Sequence, residues 1–221
     1  MPHIPVFHHV TGQWRPRWRG WIHAVAFACT IPAGVILTLV TPSGIARVGV
    51  LVYVASLLAL FSTSASYHLF TRSYRSQHTM QQLDHAMVYV LIAGTYTPVC
   101  LLALPSSLGV PFLVAIWSAA VIGMGLKFLR RARKTAAALY LVIGWAVLGV
   151  LPWVYHRAGF TSLLLFALGG MAYTVGAVLF FLKRPRLVPH IFGYHEVWHV
   201  FTVVAGVLQF AAMGMLVANT A

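Results

Sequence analysis

The sequence predicts an all-α integral membrane protein: a seven-transmembrane helix bundle with its N-terminus cytoplasmic and its C-terminus outside. Three observations carry that prediction. Of the 221 residues, 60% are hydrophobic and only 8% are charged, too little charge to cover a water-soluble domain of this length. Apolar runs of about 20 residues, the helical length that crosses a bilayer, recur along the whole chain. The Lys and Arg residues alternate between rich and poor connections, the pattern expected of a polytopic protein.

The elements follow in order. Residues 1–20 form a basic, aromatic cytoplasmic segment ahead of the transmembrane domain at 21–218. Within that segment, WRPRWRGW (14–21) alternates Trp with Arg and reads as an interfacial anchor, not a nucleic-acid surface, because no soluble basic domain accompanies it. The seven spans run from Trp21 to Val40, Val48 to Phe70, Asp84 to Leu104, Val110 to Leu129, Ala136 to Val154, Thr161 to Leu182 and Ile191 to Ala218. TPSG at 41–44, LPSSLGVP at 104–111 and KRPRLVP at 183–189 supply the turn and helix-stopping residues between them. In span 3, GTYTP (94–98) predicts a bend at Pro98, with Thr95 and Thr97 satisfying the carbonyls it frees. Gly123 with Gly125, and Gly169 with Gly170, predict close helix approach. Cys29 and Cys100 lie inside apolar spans without a C-x-x-C partner, which excludes a zinc ribbon and predicts buried, inert thiols. The first apolar run is too long for a cleaved signal peptide, and the expected location is the plasma membrane, a bacterial inner membrane.

Orientation comes from the charges. Thirteen of the fifteen Lys and Arg residues fall on one side, before span 1 and in the connections 2–3, 4–5 and 6–7; Arg47 and Arg157 lie on the other. Positive connections stay cytoplasmic.

Against this background the acids stand out, because the chain has two: Asp84 and Glu196. Both fall at the predicted cytoplasmic entrances of spans, where an ionisable group marks function or a buried partner. The cytoplasmic end of span 2, STSASYHLFTR (62–72), brings His68 to the same depth, with Ser64 four residues earlier on the same helical face. HEVWH (195–199) opens span 7 with His195 and His199 at i and i+4. Ser64, His68, Asp84, His195, Glu196 and His199 thus converge from three helices on one layer. Three neutral imidazoles suit a zinc ion and leave a fourth position for water. A nearby carboxylate such as Asp84 could hold that water and take its proton.

Three separated segments, Ser64 to His68, LDHAMVYVLIAGTYTP (83–98) and FGYHEVWHVF (192–201), resemble the haemolysin III family, the bacterial branch of the group containing the progestin and adiponectin receptors. The resemblance covers residues 20 to 218. It implies a seven-helix bundle around a zinc ion near the cytoplasmic face, with His68, His195 and His199 as ligands, Asp84 holding the zinc-bound water and Ser64 beside it. It also implies kinship with lipid-amide hydrolases of the alkaline ceramidase type.

HEVWH also matches the H-E-x-x-H pattern of metalloproteases, but no His follows residue 199 and no acid follows residue 196 to complete that site. Glu196 could contact the water, cap span 7 or pair with a loop arginine; the base is assigned to Asp84. His23, at the start of span 1, is a candidate for a supporting position. His85 and His190 read as packing or interfacial residues, His78 as a loop residue, His156 as lying on the opposite face, and His3, His8 and His9 as part of a tail. The expected function is metal-dependent hydrolysis of a membrane lipid amide or ester. The alternatives are a lipid-state sensor with structural zinc, or a cytolysin-type protein; an intramembrane metalloprotease with Glu196 as base ranks behind them.

Overall fold

The computed structural model describes residues 7–8, 13–14, 16, 18–128, 133–188 and 191–220. Expectations for Arg15, Arg17, Arg130, Arg131, His3, His9 and His190 fall outside the described residues. Among the described residues the regular structure is helical apart from a two-residue antiparallel pair, β1 (Phe7–His8) with β2 (Gln13–Trp14), and an isolated bridge between Val188 and Phe192. The helices are α1 (Trp21–Val40), α2 (Ile45–Phe70), α3 (Tyr74–Ala103), α4 (Ser106–Phe128), α5 (Arg133–Trp145), a 3₁₀ turn at Ala146–Val150, α6 (Leu151–Phe181) and α7 (Tyr194–Ala218).

Among the described residues, six helical stretches are long and apolar enough to cross a membrane. The sequence predicts seven; the two counts differ because its spans 5 and 6 fall in one apolar stretch of 44 residues, Ala138–Phe181. That stretch is not one straight rod. Gly159 takes φ 78° and ψ 173°, a break in the helix that only glycine accepts without strain. Before the break the chain runs alongside α3 in the same direction: the Tyr140 hydroxyl donates to the His85 carbonyl, that of Tyr96 to the Ile143 carbonyl, and Arg157 to the Leu102 carbonyl. After it the chain runs antiparallel to α7. The Ser162 hydroxyl donates to the Ala212 carbonyl, and Phe180 packs on His195.

The membrane-facing logic explains the rest. In hydrocarbon every backbone polar group must be satisfied within the chain, so apolar runs become helices and the turns carry the caps. The α1–α2 turn is closed by Arg47, which donates to the Thr41 carbonyl at 3.1 and 2.8 Å. A reciprocal cap between Ser73 and Ser76 starts α3 at Tyr74, ten residues before the predicted start of span 3. Hydropathy marks only the part of a helix immersed in lipid. At 30 residues α3 is about 45 Å long, well beyond a hydrocarbon core of about 30 Å. Asp84 therefore sits inside α3, not at its entrance.

The core between α2, α3, α6 and α7 is built from residues such as Val50, Tyr53, Leu57, Leu91, Met213 and Leu216. A second cluster joins α3, α4 and α5 through Tyr89, Tyr96, Ile116, Ala120 and Ile143. Outward faces carry exposed Ile36, Leu39, Val114 and Val207, as lipid contact requires.

Three smaller expectations are corrected. Gly123 meets the Tyr89 ring and Gly169 meets Gln209 and the Ala205 carbonyl, but a Cβ at Gly125 or Gly170 would touch nothing. Neighbours one or two positions apart point about 100° or 200° apart around a helix, so only one of each pair can face the contact. Cys29 is exposed on the outer face of α1, whereas Cys100 is buried as expected. Pro98 deprives the Gly94 carbonyl of its helical donor, yet the Thr95 and Thr97 hydroxyls donate to the Leu91 and Ala93 carbonyls.

Candidate metal centre

The end of α2 and the start of α7 meet at one pole of the bundle. His68, two residues before the last residue of α2, is buried. His195 and His199, four apart in the first turns of α7, project from one face toward it. Their potential ligand nitrogens all lie within 4.8 Å of one another. The Nε2 atoms of His68 and His195 are 3.3 Å apart. The three rings are angled to one another, with centroids 4.8 to 5.0 Å apart.

This arrangement fits a metal ion. Two nitrogens bonded at about 2.0–2.1 Å to a tetrahedral zinc stand about 3.3–3.4 Å apart, matching the His68–His195 separation. The donor set is all imidazole. Nδ1 of His199 is buried without a hydrogen-bond partner. A buried polar cluster of this kind is expensive unless something joins its members.

Asp84 approaches from α3, partly buried, and its carboxylate is within hydrogen-bonding reach of the buried Ser64 hydroxyl. Ser64 lies one turn before His68 on α2, so Ser64 links the aspartate to the histidine-bearing helix. Asp84 is not among the donors that close on one another in the histidine group.

Glu196 does something else. It is fully buried; Oε1 accepts from Arg19 Nε at 2.7 Å, and Oε2 accepts from the Gly193 backbone N–H at 2.8 Å. Of the three roles left open by the sequence it takes two at once, capping α7 and pairing with an arginine, and both carboxylate oxygens are engaged. Pairing with Arg19 was the part the sequence could not name, since Arg19 was read as part of an interfacial anchor. The signal was present: a carboxylate at membrane depth needs a counter-charge.

His23, from the first turn of α1, is buried and stacks on His199, with ring centroids 4.0 Å apart and planes 6° apart. Neither of its buried ring nitrogens makes a hydrogen bond of ordinary geometry, although the His199 backbone interacts with the ring. His85 lies beside Asp84 with its carbonyl held by Tyr140. His78 lies within α3, stacked on Tyr74, and His156 contacts Tyr155; neither joins the trio.

The profile of the family described as haemolysin-III related matches residues 12–210. The chain is similar to the hemolysin-3 homolog of Bacillus subtilis (strain 168), 31% identical over 193 residues that cover 85% of this chain and 87% of the relative. It is similar to hemolysin-3 of Bacillus cereus, 30% identical over 204 residues covering 90% of each. A more distant similarity, 26% over 193 residues covering 78% and 83%, is to the heptahelical transmembrane protein ADIPOR2 of Oryza sativa subsp. japonica.

Proposed function

The chain belongs to the haemolysin-III related family, and on that premise we propose that it is a zinc-dependent hydrolase acting on an amide or ester of a membrane lipid. The observation that carries this reading is the group of His68, His195 and His199, brought together from two helices with their nitrogens within 4.8 Å. When bound there, zinc supplies a Lewis acid that polarises a carbonyl and acidifies water. The chain's own residues do the rest. Asp84 takes the proton of the attacking water at its carboxylate, and Ser64 orients that carboxylate by a hydrogen bond. Glu196 is not the base, because Arg19 and Gly193 hold both of its oxygens. The substrate is a lipid because the site lies among membrane helices, where an acyl chain arrives laterally.

The same reading takes the bundle as seven spans in the plasma membrane of a bacterium, with the N-terminus and the metal centre cytoplasmic. Thirteen of fifteen basic residues on that side support the orientation. The run of residues 133–157 along α3 and the return along α7 beyond Gly159 support two crossings within the 44-residue stretch. The name "heptahelical" carried by one relative agrees with that count.

The test is hydrolysis of fluorescent lipid amides and esters by zinc-loaded protein in detergent. Turnover by the wild type, lowered about 10²–10⁴-fold in Asp84→Asn with zinc content unchanged, is the expected result. A second reading, structural zinc in a lipid-state sensor, is favoured by the way the trio ties α2 to α7. It predicts no turnover, and loss of stability in His68→Ala but not in Asp84→Ala.

A further inference from the structure

We propose that the entrance of α1 is a clamp that presets the histidine centre, with His23 as a positioning residue and Arg19 and Gly20 as its anchors. The inference rests on the reading that His68, His195 and His199 hold zinc. Those ligands come from α2 and α7, and three donors bind one ion only if the two helices keep their axial and rotational register. Helix α1 packs on both.

Three residues within five positions of the chain, Arg19, Gly20 and His23, meet Glu196, His68 and His199 in turn. Arg19 holds Glu196, the residue between His195 and the rest of its helical turn, at 2.7 Å. Gly20 lies against His68: a Cβ there would stand 2.8 Å from the His68 Cβ, and its φ of 94° is one that glycine alone adopts freely. His23 covers the face of the His199 ring at 4.0 Å and also packs on Phe61 of α2, with centroids 5.2 Å apart. One short segment therefore fixes the α7 cap, the approach to the α2 ligand and the ring plane of the second α7 ligand.

His23 is not a fourth ligand. An imidazole binds a metal in its own ring plane. The nearly parallel stack keeps the in-plane nitrogen lone pairs of His23 and His199 in separate planes, so the two rings would not converge on one ion. His23 acts through His199, blocking rotation of that ring by its face. The distinction has a chemical consequence: a phenyl ring at position 23 should do most of the same work.

The experiment is zinc affinity of the full-length protein in detergent, read by competition with a chromophoric chelator, alongside thermal melting of zinc-free and zinc-loaded samples. His23→Ala and Gly20→Ala should each weaken zinc about 10–100-fold, the usual effect of removing a group that orients a ligand. His23→Phe should lose less than the lower bound of that range. Zinc-free melting of His23→Ala should stay near wild type while the zinc-induced rise in Tm shrinks; a merely structural role would lower both melting points alike. Alanine variants that bind zinc as tightly as a zinc-binding wild type overturn the clamp alone. His23→Phe losing zinc as completely as His68→Ala makes His23 a ligand and overturns its positioning role. A wild type that takes up no zinc overturns the reading of the trio and the clamp with it.

Discussion

Replacing Glu196 by Gln separates the two chemistries that HEVWH could represent. The change keeps the shape of the side chain and removes its charge. In the structure Glu196 is fully buried and Arg19, its partner at 2.7 Å, is only 13% exposed, so solvent screens the pair weakly. Removing one member of a buried ion pair costs about 3–5 kcal/mol, because the other charge is left uncompensated. The glutamine oxygen can still accept from the Gly193 N–H, which offsets about 1 kcal/mol. The expected net loss is about 2–4 kcal/mol, a fall in Tm of roughly 4–16 °C for a chain of this size. Thermal melting in detergent, followed by fluorescence, reads it directly. Turnover at saturating zinc, measured below the melting point, should remain within about tenfold of wild type, against about 10²–10⁴-fold for loss of a general base. A variant with unchanged Tm and abolished turnover would refute the reasoning and return Glu196 to the role it has in metalloproteases. Adding Arg19→Met to Glu196→Gln should recover part of the stability by removing the stranded charge.

Metal content by mass spectrometry should be about one zinc per chain in the wild type and should be lost in His68→Ala and in the double variant His195→Ala/His199→Ala; retention in either breaks the three-ligand assignment. Gly123→Ala should destabilise the bundle by about 1–3 kcal/mol, because its new methyl overlaps the fully buried Tyr89 ring. Gly125→Ala, where a Cβ meets nothing, should be neutral or slightly stabilising through helix propensity, and melting of the two variants side by side checks the contrast.

The membrane class, the helical extents to within a few residues for most spans, and the meeting of His68, His195 and His199 were legible in the sequence. Each follows from terms that are local along the chain: transfer free energy summed over about 20 residues, the sign of flanking charges, and the i, i+4 repeat that puts His195 and His199 on one face. Those terms give depth. They do not give rotation about a helix axis or the identity of a neighbour. The tertiary structure decided that Gly123 and not Gly125 faces Tyr89, that α3 begins ten residues early, and that a single apolar stretch is broken at Gly159. It also brought α1 against the histidine group, with His23 stacked on His199. Arg19 and Glu196 are separated by 177 positions, and His23 and His199 by nearly as many. No periodicity along the chain encodes such a pair. It exists because packing α1 against both α2 and α7 brings the Arg19 guanidinium to the buried Glu196 carboxylate.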